Sequence, residues 1–393
     1  MKVRSGAAVV LAVLMLAFAC WAVVPAPTFA TLPLAVAVPE LAPRVLAFAL
    51  VLGVLVWLLA RGRPRAVATA LTALAAACAA WPALAAPFAW QAEQRALDDA
   101  RIPPARSRAF AVDVVRDVPV RLRDGSSLAL DLYRPRAAGA APGGGYPRHA
   151  AAALPLIVGI YGGAWSFGSR AGFAPLARWY AERGYAVAVV DYRHAPRYRF
   201  PVQRDDVEDA LRALAANARA WHLDARRVAF FGRSAGAELA LLAAERPQPL
   251  RAAAVVAYYA PVDLAGGWND PPRPDPANVR GILETYIGGP PDAAHAGAYR
   301  AASPFDGARR AMPPALLICG ARDELVLVSF QRAFAARLRS LGVPVVALEL
   351  PWANHAFDEV DGLGAAIAHD ATLRFLDATL AARGSKVPSS APW

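Results

Sequence analysis

Residues 227–245 read RVAFFGRSAGAELALLAAE, and this stretch decides the fold. An apolar run is followed by GRSAG at residues 232–236 and then by a helical pattern. A G-x-S-x-G sequence between a strand and a helix is typical of a sharp turn that exposes its serine, because only glycines tolerate the close backbone contacts around that turn. The stretch therefore predicts that Ser234 is a nucleophile at the end of a strand.

The sequence around this turn alternates short apolar runs with helical patterns from residue 154 to residue 382. Fully apolar strands that alternate with helices indicate an α/β fold with a mostly parallel sheet, covered by helices on both faces. Residues 111–120 and 128–133 flank an Asp-Gly turn and predict an antiparallel hairpin. A Pro- and Gly-rich insertion, residues 263–305, interrupts the alternation, and residues 137–153 are predicted to form a flexible surface loop.

A serine hydroxyl is a weak nucleophile until a base takes its proton, and an acid must orient that base. Of the six histidines in the chain, His355 follows the last predicted strand. Asp323 follows another strand and is the predicted acid, and its neighbour Glu324 is the alternative, expected to point elsewhere if Asp323 points inward. Ligands of such sheets lie beyond the C-terminal ends of the strands, where Ser234, Asp323 and His355 are all predicted.

The tetrahedral oxygen formed by nucleophilic attack needs hydrogen-bond donors. Gly162 and Gly163 follow an apolar strand in the sequence YGGAW, and their backbone N–H groups are expected to point at a bound carbonyl. With the N–H of Ala235 they predict an oxyanion hole, although a plain tight turn is the alternative for this loop taken alone. The sequence contains no C-x-x-C, no paired-histidine helix and no phosphate-binding loop, so it indicates no metal and no cofactor.

Taken together, these motifs resemble the α/β-hydrolase superfamily, in particular the hormone-sensitive-lipase-like carboxylesterases and the bacterial feruloyl/acetyl esterase-like group. The resemblance extends over residues 113–382, and the order serine, aspartate, histidine is that of the superfamily rather than of serine proteases. It implies the same nucleophile, acid, base and oxyanion donors as the motifs do. Further matching segments are residues 131–135, 191–193, 200–201, 205–210, 303–305 and 354–357.

The chain departs from the family pattern at three positions beside the predicted site, one of which is Ala164, where the family often has glycine. Tyr161 stands where the family usually has a histidine, which affects the expected loop geometry and substrate preference. Arg233 stands where an acidic or small residue is frequent, so it is expected either to favour an anionic substrate group or to pair with a carboxylate. Asp191, Asp205 and Asp206 are alternative acids, but the resemblance implies that they line or brace the site.

The composition predicts a membrane region. The chain has 393 residues, of which 57% are hydrophobic and 19% charged, whereas soluble domains carry roughly 45–50% apolar and about 25% charged residues. Much of the excess lies in residues 6–24, 44–60 and 66–86. A helix needs about 20 apolar residues to cross a ~30 Å hydrocarbon core, and the first two stretches meet or nearly meet that length. The third is rich in alanine, which gains little from lipid, so it either spans or packs on the later domain.

These observations divide the chain into a membrane anchor of two or three helices at residues 1–86, a connector at residues 87–108 and a catalytic domain at residues 109–385. Basic residues cluster at residues 2–4 and 61–65, and the positive-inside bias places both clusters in the cytoplasm. If the third stretch spans, the catalytic domain lies outside a bacterial inner membrane; otherwise it is cytoplasmic. A cleaved signal peptide is the alternative for the first stretch.

The predicted function is that of a membrane-anchored serine hydrolase that cleaves carboxylic esters with small to medium acyl groups. Its predicted partners are a small-molecule ester and the lipid bilayer. The formal net charge is +11, but the later arginines are scattered rather than clustered with aromatics, which argues against nucleic-acid binding. Two alternatives are acyl transfer to an alcohol by the same triad, and a membrane-displayed binding protein with a hydrolase-like fold.

Overall fold

A computed structural model describes residues 2–106, 108–136 and 153–381. The N-terminal part is helical, with α1 (Lys2–Ala19), α2 (Leu32–Glu40), α3 (Ala42–Leu59) and α4 (Gly62–Asp99). The surface loop predicted at residues 137–153 lies, apart from residue 153, outside the described residues. The same holds for residues 382–385 at the end of the predicted catalytic domain.

The remaining described residues form a single sheet of eight strands with helices between them. The strands are β1 (Val112–Arg121), β2 (Ser127–Pro135), β3 (Leu154–Ile160), β4 (Ala186–Val190), β5 (Leu223–Arg233), β6 (Ala254–Tyr258), β7 (Ala315–Gly320) and β8 (Val345–Leu350). Their order in the sheet is β1-β2-β4-β3-β5-β6-β7-β8. The hairpin β1–β2 is antiparallel, β2 pairs antiparallel with β4, and the remaining neighbours are parallel. The predicted mostly parallel sheet and its hairpin are therefore present.

The helices of this part cover the sheet, and every residue of β4 and β6 is buried, as expected for strands with helices on both faces. The predicted insertion, residues 263–305, contains three short helices: α8 (Leu264–Asn269), α9 (Val279–Ile287) and α10 (Ala296–Ala301). The helices are α5 (Arg170–Ala181), α6 (Val202–Asn217), α7 (Ala235–Glu245), α8 (Leu264–Asn269), α9 (Val279–Ile287), α10 (Ala296–Ala301), α11 (Pro304–Gly307), α12 (Val328–Ser340) and α13 (Leu363–Thr379).

The N-terminal helices differ from the prediction in two ways. Helix α2 was not predicted, and α4 is one continuous helix of 38 residues that runs through the predicted boundary at residue 86. Alanine has the highest helix propensity, and the polar residues that follow keep a helical pattern, so α4 continues despite Pro82 and Pro87. Its C-terminal half packs into the main core through small residues and Leu97.

Helices α1, α3 and the first half of α4 pack against one another through small side chains, while large apolar side chains point outward. All but three of the exposed large hydrophobic residues in the described part of the chain lie between residues 10 and 90. A water-soluble bundle would bury its large apolar side chains, whereas small contact residues are typical of packed membrane helices. The alanines of the third apolar stretch thus make helix contacts. The buried contact residues include Ala8, Ala12, Ala19, Ala49, Ala60, Ala68, Ala75 and Ala79.

Candidate active site

Ser234 lies at the sharp turn between β5 and α7. Its backbone is strained, with φ 51° and ψ −125°, a conformation that few non-glycine residues adopt. A Cβ on Gly232 would lie 2.1 Å from the carbonyl oxygen of Gly236, and one on Gly236 would lie 2.2 Å from that of Ile160. These contacts explain why the turn needs glycine on both sides of the serine.

The structure brings the predicted Ser234, His355 and Asp323 together in a chain of hydrogen bonds. His355 Nε2 lies 2.8 Å from Ser234 Oγ, and His355 Nδ1 lies 2.8 Å from Asp323 Oδ2. The other carboxylate oxygen, Asp323 Oδ1, accepts the backbone N–H groups of Leu325 and Val326, both at 2.8 Å. Because one oxygen is held by the backbone, the other is aimed at the imidazole.

A further polar residue, Asn354, holds the loops of the acid and the base together. Its Oδ1 accepts the backbone N–H of His355 at 2.7 Å and that of Glu324 at 3.0 Å. The sequence assigned no role to Asn354. The carboxylate of Glu324 points away from the imidazole and accepts the N–H of Ala26 at 3.0 Å, as expected for the alternative to Asp323.

The glycine loop that follows β3 passes directly beside Ser234. A Cβ on Gly162 would lie 3.1 Å from Ser234 Cβ. At Gly163 the φ is 129°, and a Cβ there would lie 2.0 Å from the carbonyl oxygen of Phe167, so only glycine fits. Ala235 is the first residue of α7, where backbone N–H groups have no partner within the helix. Two of the predicted oxyanion donors, Gly162 and Ala235, therefore lie next to Ser234, and Gly163 follows Gly162 in the same loop.

A buried glutamate, Glu238, accepts hydrogen bonds that hold the glycine loop after β3 in place. Trp165 Nε1 donates to Glu238 Oε2 at 3.0 Å, and the Tyr286 hydroxyl donates to Glu238 Oε1 at 3.3 Å. The Trp165 and Tyr286 rings stack at 4.1 Å. Burial raises the pKa of Glu238 well above its usual range, although both donors favour the ionised form. Glu238 thus anchors the loop through one ring pair, and no sequence motif pointed to this role.

Tyr161, which replaces the family histidine, is part of a polar cluster at the edge of the loop. Its hydroxyl donates to the Asp191 carboxylate and lies 3.1 Å from His194 Nε2. Its ring stacks on Tyr192 at 4.6 Å. Burial and the neighbouring Asp191 carboxylate raise the pKa of Tyr161 far above its usual value. The hydroxyl is therefore neutral, and it braces the loop as a donor.

The other carboxylates considered from the sequence are paired elsewhere. Asp206 accepts from the Arg193 guanidinium at 2.7 Å, and Asp205 lies 2.8 Å from Arg204. The hydrogen bond from Tyr161 occupies one oxygen of Asp191. The structure places Asp323 beside His355 and gives these three aspartates bracing contacts instead.

Arg233 pairs with a carboxylate, which is one of the two expectations for this position. Its Nη1 lies 3.2 Å from Asp358 Oδ2, and both side chains are almost fully buried. The Tyr259 hydroxyl donates to the other oxygen of Asp358 at 2.5 Å, and the Tyr259 ring lies 4.5 Å from the His355 ring. The guanidinium of Arg233 therefore forms a structural ion pair, and Tyr259 connects this pair to the ring of His355.

Comparisons with known proteins find similarity to esterases. A family model described as BD-FAE matches residues 145–338. Esterase LipC of Mycobacterium tuberculosis (strain ATCC 25618 / H37Rv) is 36% identical over 223 residues, which cover 53% of this chain and 54% of LipC. From the same strain, the probable carboxylic ester hydrolase LipM is 34% identical over 235 residues, covering 56% and 54% of the two chains. The chain therefore spans about half the length of these relatives.

Solved structures share the fold over most of the chain. A hyperthermophilic esterase from the archaeon Pyrobaculum calidifontis superposes with a TM-score of 0.56 and 25% identity, over 74% of this chain and 90% of that one. The thermostable carboxylesterase EstE1, from a metagenomic library, superposes with a TM-score of 0.53 and 23% identity, over 74% and 96% of the two chains.

The sheet order and the serine turn at the end of β5 define an α/β-hydrolase. Within that superfamily the chain is similar to carboxylesterases, because the matching family model, the named relatives and the superposed structures are esterases or esterase-like.

Proposed function

We propose that this chain hydrolyses carboxylic esters by a serine mechanism. Ser234 Oγ attacks the ester carbonyl while His355 Nε2 takes its proton, and Asp323 stabilises the resulting imidazolium. His355 then gives the proton to the departing alcohol, and a water molecule repeats the steps on the acyl-enzyme. The observation that carries the proposal is the continuous hydrogen-bond chain from Ser234 through His355 to Asp323.

The oxyanion formed in each step would accept hydrogen bonds from the backbone N–H groups of Gly162, Gly163 and Ala235. Such donors are effective because they are held in place before the charge develops. The close approach of Gly162 to Ser234 supports this assignment. The named relatives are esterases or a probable carboxylic ester hydrolase, which supports a small-molecule ester as substrate. We infer that the acyl group is small to medium.

The decisive experiment replaces the nucleophile. Ser234→Ala should abolish hydrolysis of p-nitrophenyl butyrate and labelling by a fluorophosphonate, with an unchanged melting temperature. Ser340→Ala is the matched control, because Ser340 is exposed and bonds only within its own helix turn. Wild-type protein without hydrolysis or labelling, or an S234A variant that keeps both, would contradict the proposal.

Acyl transfer to an alcohol is a second outcome of the same chemistry, because an acceptor alcohol can replace water in the second half of the cycle. Product analysis in the presence of added alcohols separates the two: transfer gives a new ester, and hydrolysis gives the free acid. A hydrolase-like binding protein would give neither product and would not be labelled by the fluorophosphonate.

We also propose that the N-terminal helices anchor the chain in a bacterial inner membrane, with the active site outside the cytoplasm. In the described part of the chain three helical stretches are long and apolar enough to cross a membrane: Ser5–Ala22, Ala42–Leu59 and part of Gly62–Asp99. Their small contact residues and large outward side chains support this. The basic cluster at residues 61–65 lies where α3 ends and α4 begins, at the opposite end of the bundle from the contacts with the α/β region.

Reporter fusions test the topology. An alkaline phosphatase fused after residue 100 should be active, because that enzyme folds only after export, whereas a fusion after residue 61 should be inactive. An inactive fusion after residue 100 would place the active site in the cytoplasm. Recovery of the full chain in the soluble fraction would contradict anchoring itself.

A further inference from the structure

The segment between α1 and α3 contacts the loops that carry the acid and the base. We call residues 20–41 the connecting segment, residues 321–327 the acid loop and residues 351–362 the His355 loop. The backbone N–H of Ala26 donates to Glu324, and Arg322 Nη1 donates to the carbonyl oxygen of Ala22. The connecting segment also packs apolar residues against one residue from each loop, Leu325 and Val360.

The strongest contact is made by Glu40, the last residue of α2. Trp352 Nε1 donates to Glu40 Oε1 at 3.0 Å, and the backbone N–H of Gly364 donates to Glu40 Oε2 at 2.5 Å. Trp352 lies at the start of the His355 loop, and Gly364 lies just beyond its end. One carboxylate therefore bridges the two ends of the loop that carries the predicted base.

The packing around Glu40 leaves no space for a looser arrangement. Its exposed fraction is 1%, and that of Trp352 is 0%. A Cβ on Gly362 would lie 2.6 Å from Glu40 Cβ, and one on Gly364 would lie 2.8 Å from Glu40 Oε1. Buried polar groups that are packed this closely have a single low-energy geometry, because any displacement leaves a donor or an acceptor unpaired.

We propose that Glu40 is a positioning residue for His355, so that the N-terminal helical region is part of the active-site scaffold as well as an anchor. The proposal rests on the proposed function. The carboxylate of Glu40 fixes both ends of the His355 loop, and Asn354 and Asp358 fix its interior. A shift of about 1 Å in a reacting group is enough to cost up to about 100-fold in rate, so the loop needs this support.

The test is the substitution Glu40→Gln in the full chain, purified in detergent. Glutamine has one acceptor oxygen, so its amide N–H group would face one of the two donors. We expect kcat per fluorophosphonate-titrated site to fall about 10-fold, with KM within about 2-fold, because substrate binding does not involve Glu40. Glu93→Gln is the matched control. Glu93 is buried in the same helical region, and its carboxylate accepts a hydrogen bond from the side-chain amide of Gln94.

A double-mutant cycle with Trp352→Phe tests whether Glu40 acts through the His355 loop. If it does, the two kcat losses will not add, whereas independent structural effects would add. An E40Q variant with wild-type kcat, or one whose loss matches that of E93Q, overturns the proposal even when the wild type is an active esterase. A lowered melting temperature with unchanged kcat per site overturns the proposal as well.

Amide hydrogen exchange keeps the inference testable if the wild type proves inactive. E40Q should speed exchange across residues 352–364, and E93Q should leave this peptide unchanged. An inactive, unlabelled wild type would remove the proposed function, whereas unchanged exchange in E40Q would remove the link between Glu40 and the His355 loop. The two failures are therefore distinguishable.

Discussion

Arg233 and Asp358 form a buried ion pair of 3.2 Å that ties the strand of Ser234 to the loop of His355. Arg233 directly precedes Ser234, the predicted nucleophile, and Asp358 lies three residues beyond His355, the predicted base. The pair therefore sets the position of the imidazole relative to the hydroxyl, although neither side chain reaches the reacting atoms. Four predictions follow from this relationship and from similar contacts around the site.

Replacing Arg233 with methionine should destabilise the protein strongly. The change leaves the Asp358 carboxylate buried without its cation, and such losses typically cost about 3–5 kcal/mol. Arg332→Met is the matched control, because its partner pair with Glu349 is exposed on the arginine side, and surface pairs contribute roughly 0–1 kcal/mol. Denaturant unfolding of both variants measures the difference. Equal losses would show that the buried pair contributes no more than the exposed one.

Glutamine should replace Glu238 with little loss. Burial raises the pKa of Glu238 well above its usual range, which favours the neutral form, and glutamine is a neutral side chain of nearly the same shape. We expect Glu238→Gln to change the free energy of unfolding by less than about 1 kcal/mol. Glu238→Ala should cost about 2–5 kcal/mol, because it leaves a cavity and an unpaired Trp165 N–H. An E238Q loss as large as that of E238A would indicate an ionised glutamate.

Stability should depend on pH through Glu40. Burial, with a smaller contribution from Asp358, raises the pKa of Glu40 from 4.5 to about 7, and the N–H groups of Gly364 and Trp352 oppose the rise. A raised folded pKa means that the folded protein binds the proton more tightly than the unfolded chain does. The resulting stabilisation is complete below pH 4.5 and is lost as the pH rises through about 7.

The measurement is the difference in free energy of unfolding between wild type and Glu40→Gln at pH 4.5, 6 and 8. We expect wild type to lose at most about 3 kcal/mol relative to E40Q across this range. The E40Q variant cannot titrate at this position, so it serves as the reference for the wild type. A difference that is constant from acid to alkaline pH would contradict the raised pKa.

Gly163→Ala should disrupt the oxyanion loop. The new Cβ would meet the carbonyl oxygen of Phe167 at 2.0 Å, and the φ of 129° is strained for any L side chain. We expect at least about a 100-fold loss in kcat/KM, because removal of one oxyanion donor typically costs that much. Gly297→Ala is the control: it lies in α10 with open space around its Cβ position, so activity should be unchanged. An active G163A enzyme would exclude this loop from the reaction.

Much of the site was predictable because it depends on local patterns. Each strand of the α/β region is a short apolar run, and the C-terminal ends of parallel strands meet at one edge. Ser234, Asp323 and His355 each follow such a run, so their approach could be inferred from position in the chain. The roles of these residues remain predictions until they are tested by substitution.

The support of the site was not predictable, because it consists of contacts between distant parts of the chain. Glu40 and Trp352 are separated by 312 positions, and no periodicity or motif relates a helix end to a loop so far along the sequence. Helix α2 itself is short and follows a proline-rich stretch, so no pattern marked it. The partners of Glu238 and Arg233 are likewise set by packing of side chains from separate elements.

The sequence by itself determined the α/β class, the serine turn and the apolar N-terminal stretches, because strand burial, tight turns and hydropathy are properties of consecutive residues. Only the tertiary structure decided which way the alanines of α4 face. It also decided that Asp323, rather than its neighbour Glu324, faces His355, and that the connecting segment packs against the active-site loops. Those outcomes depend on the free energy of packing and hydrogen bonding between elements, which is defined only once the elements are assembled.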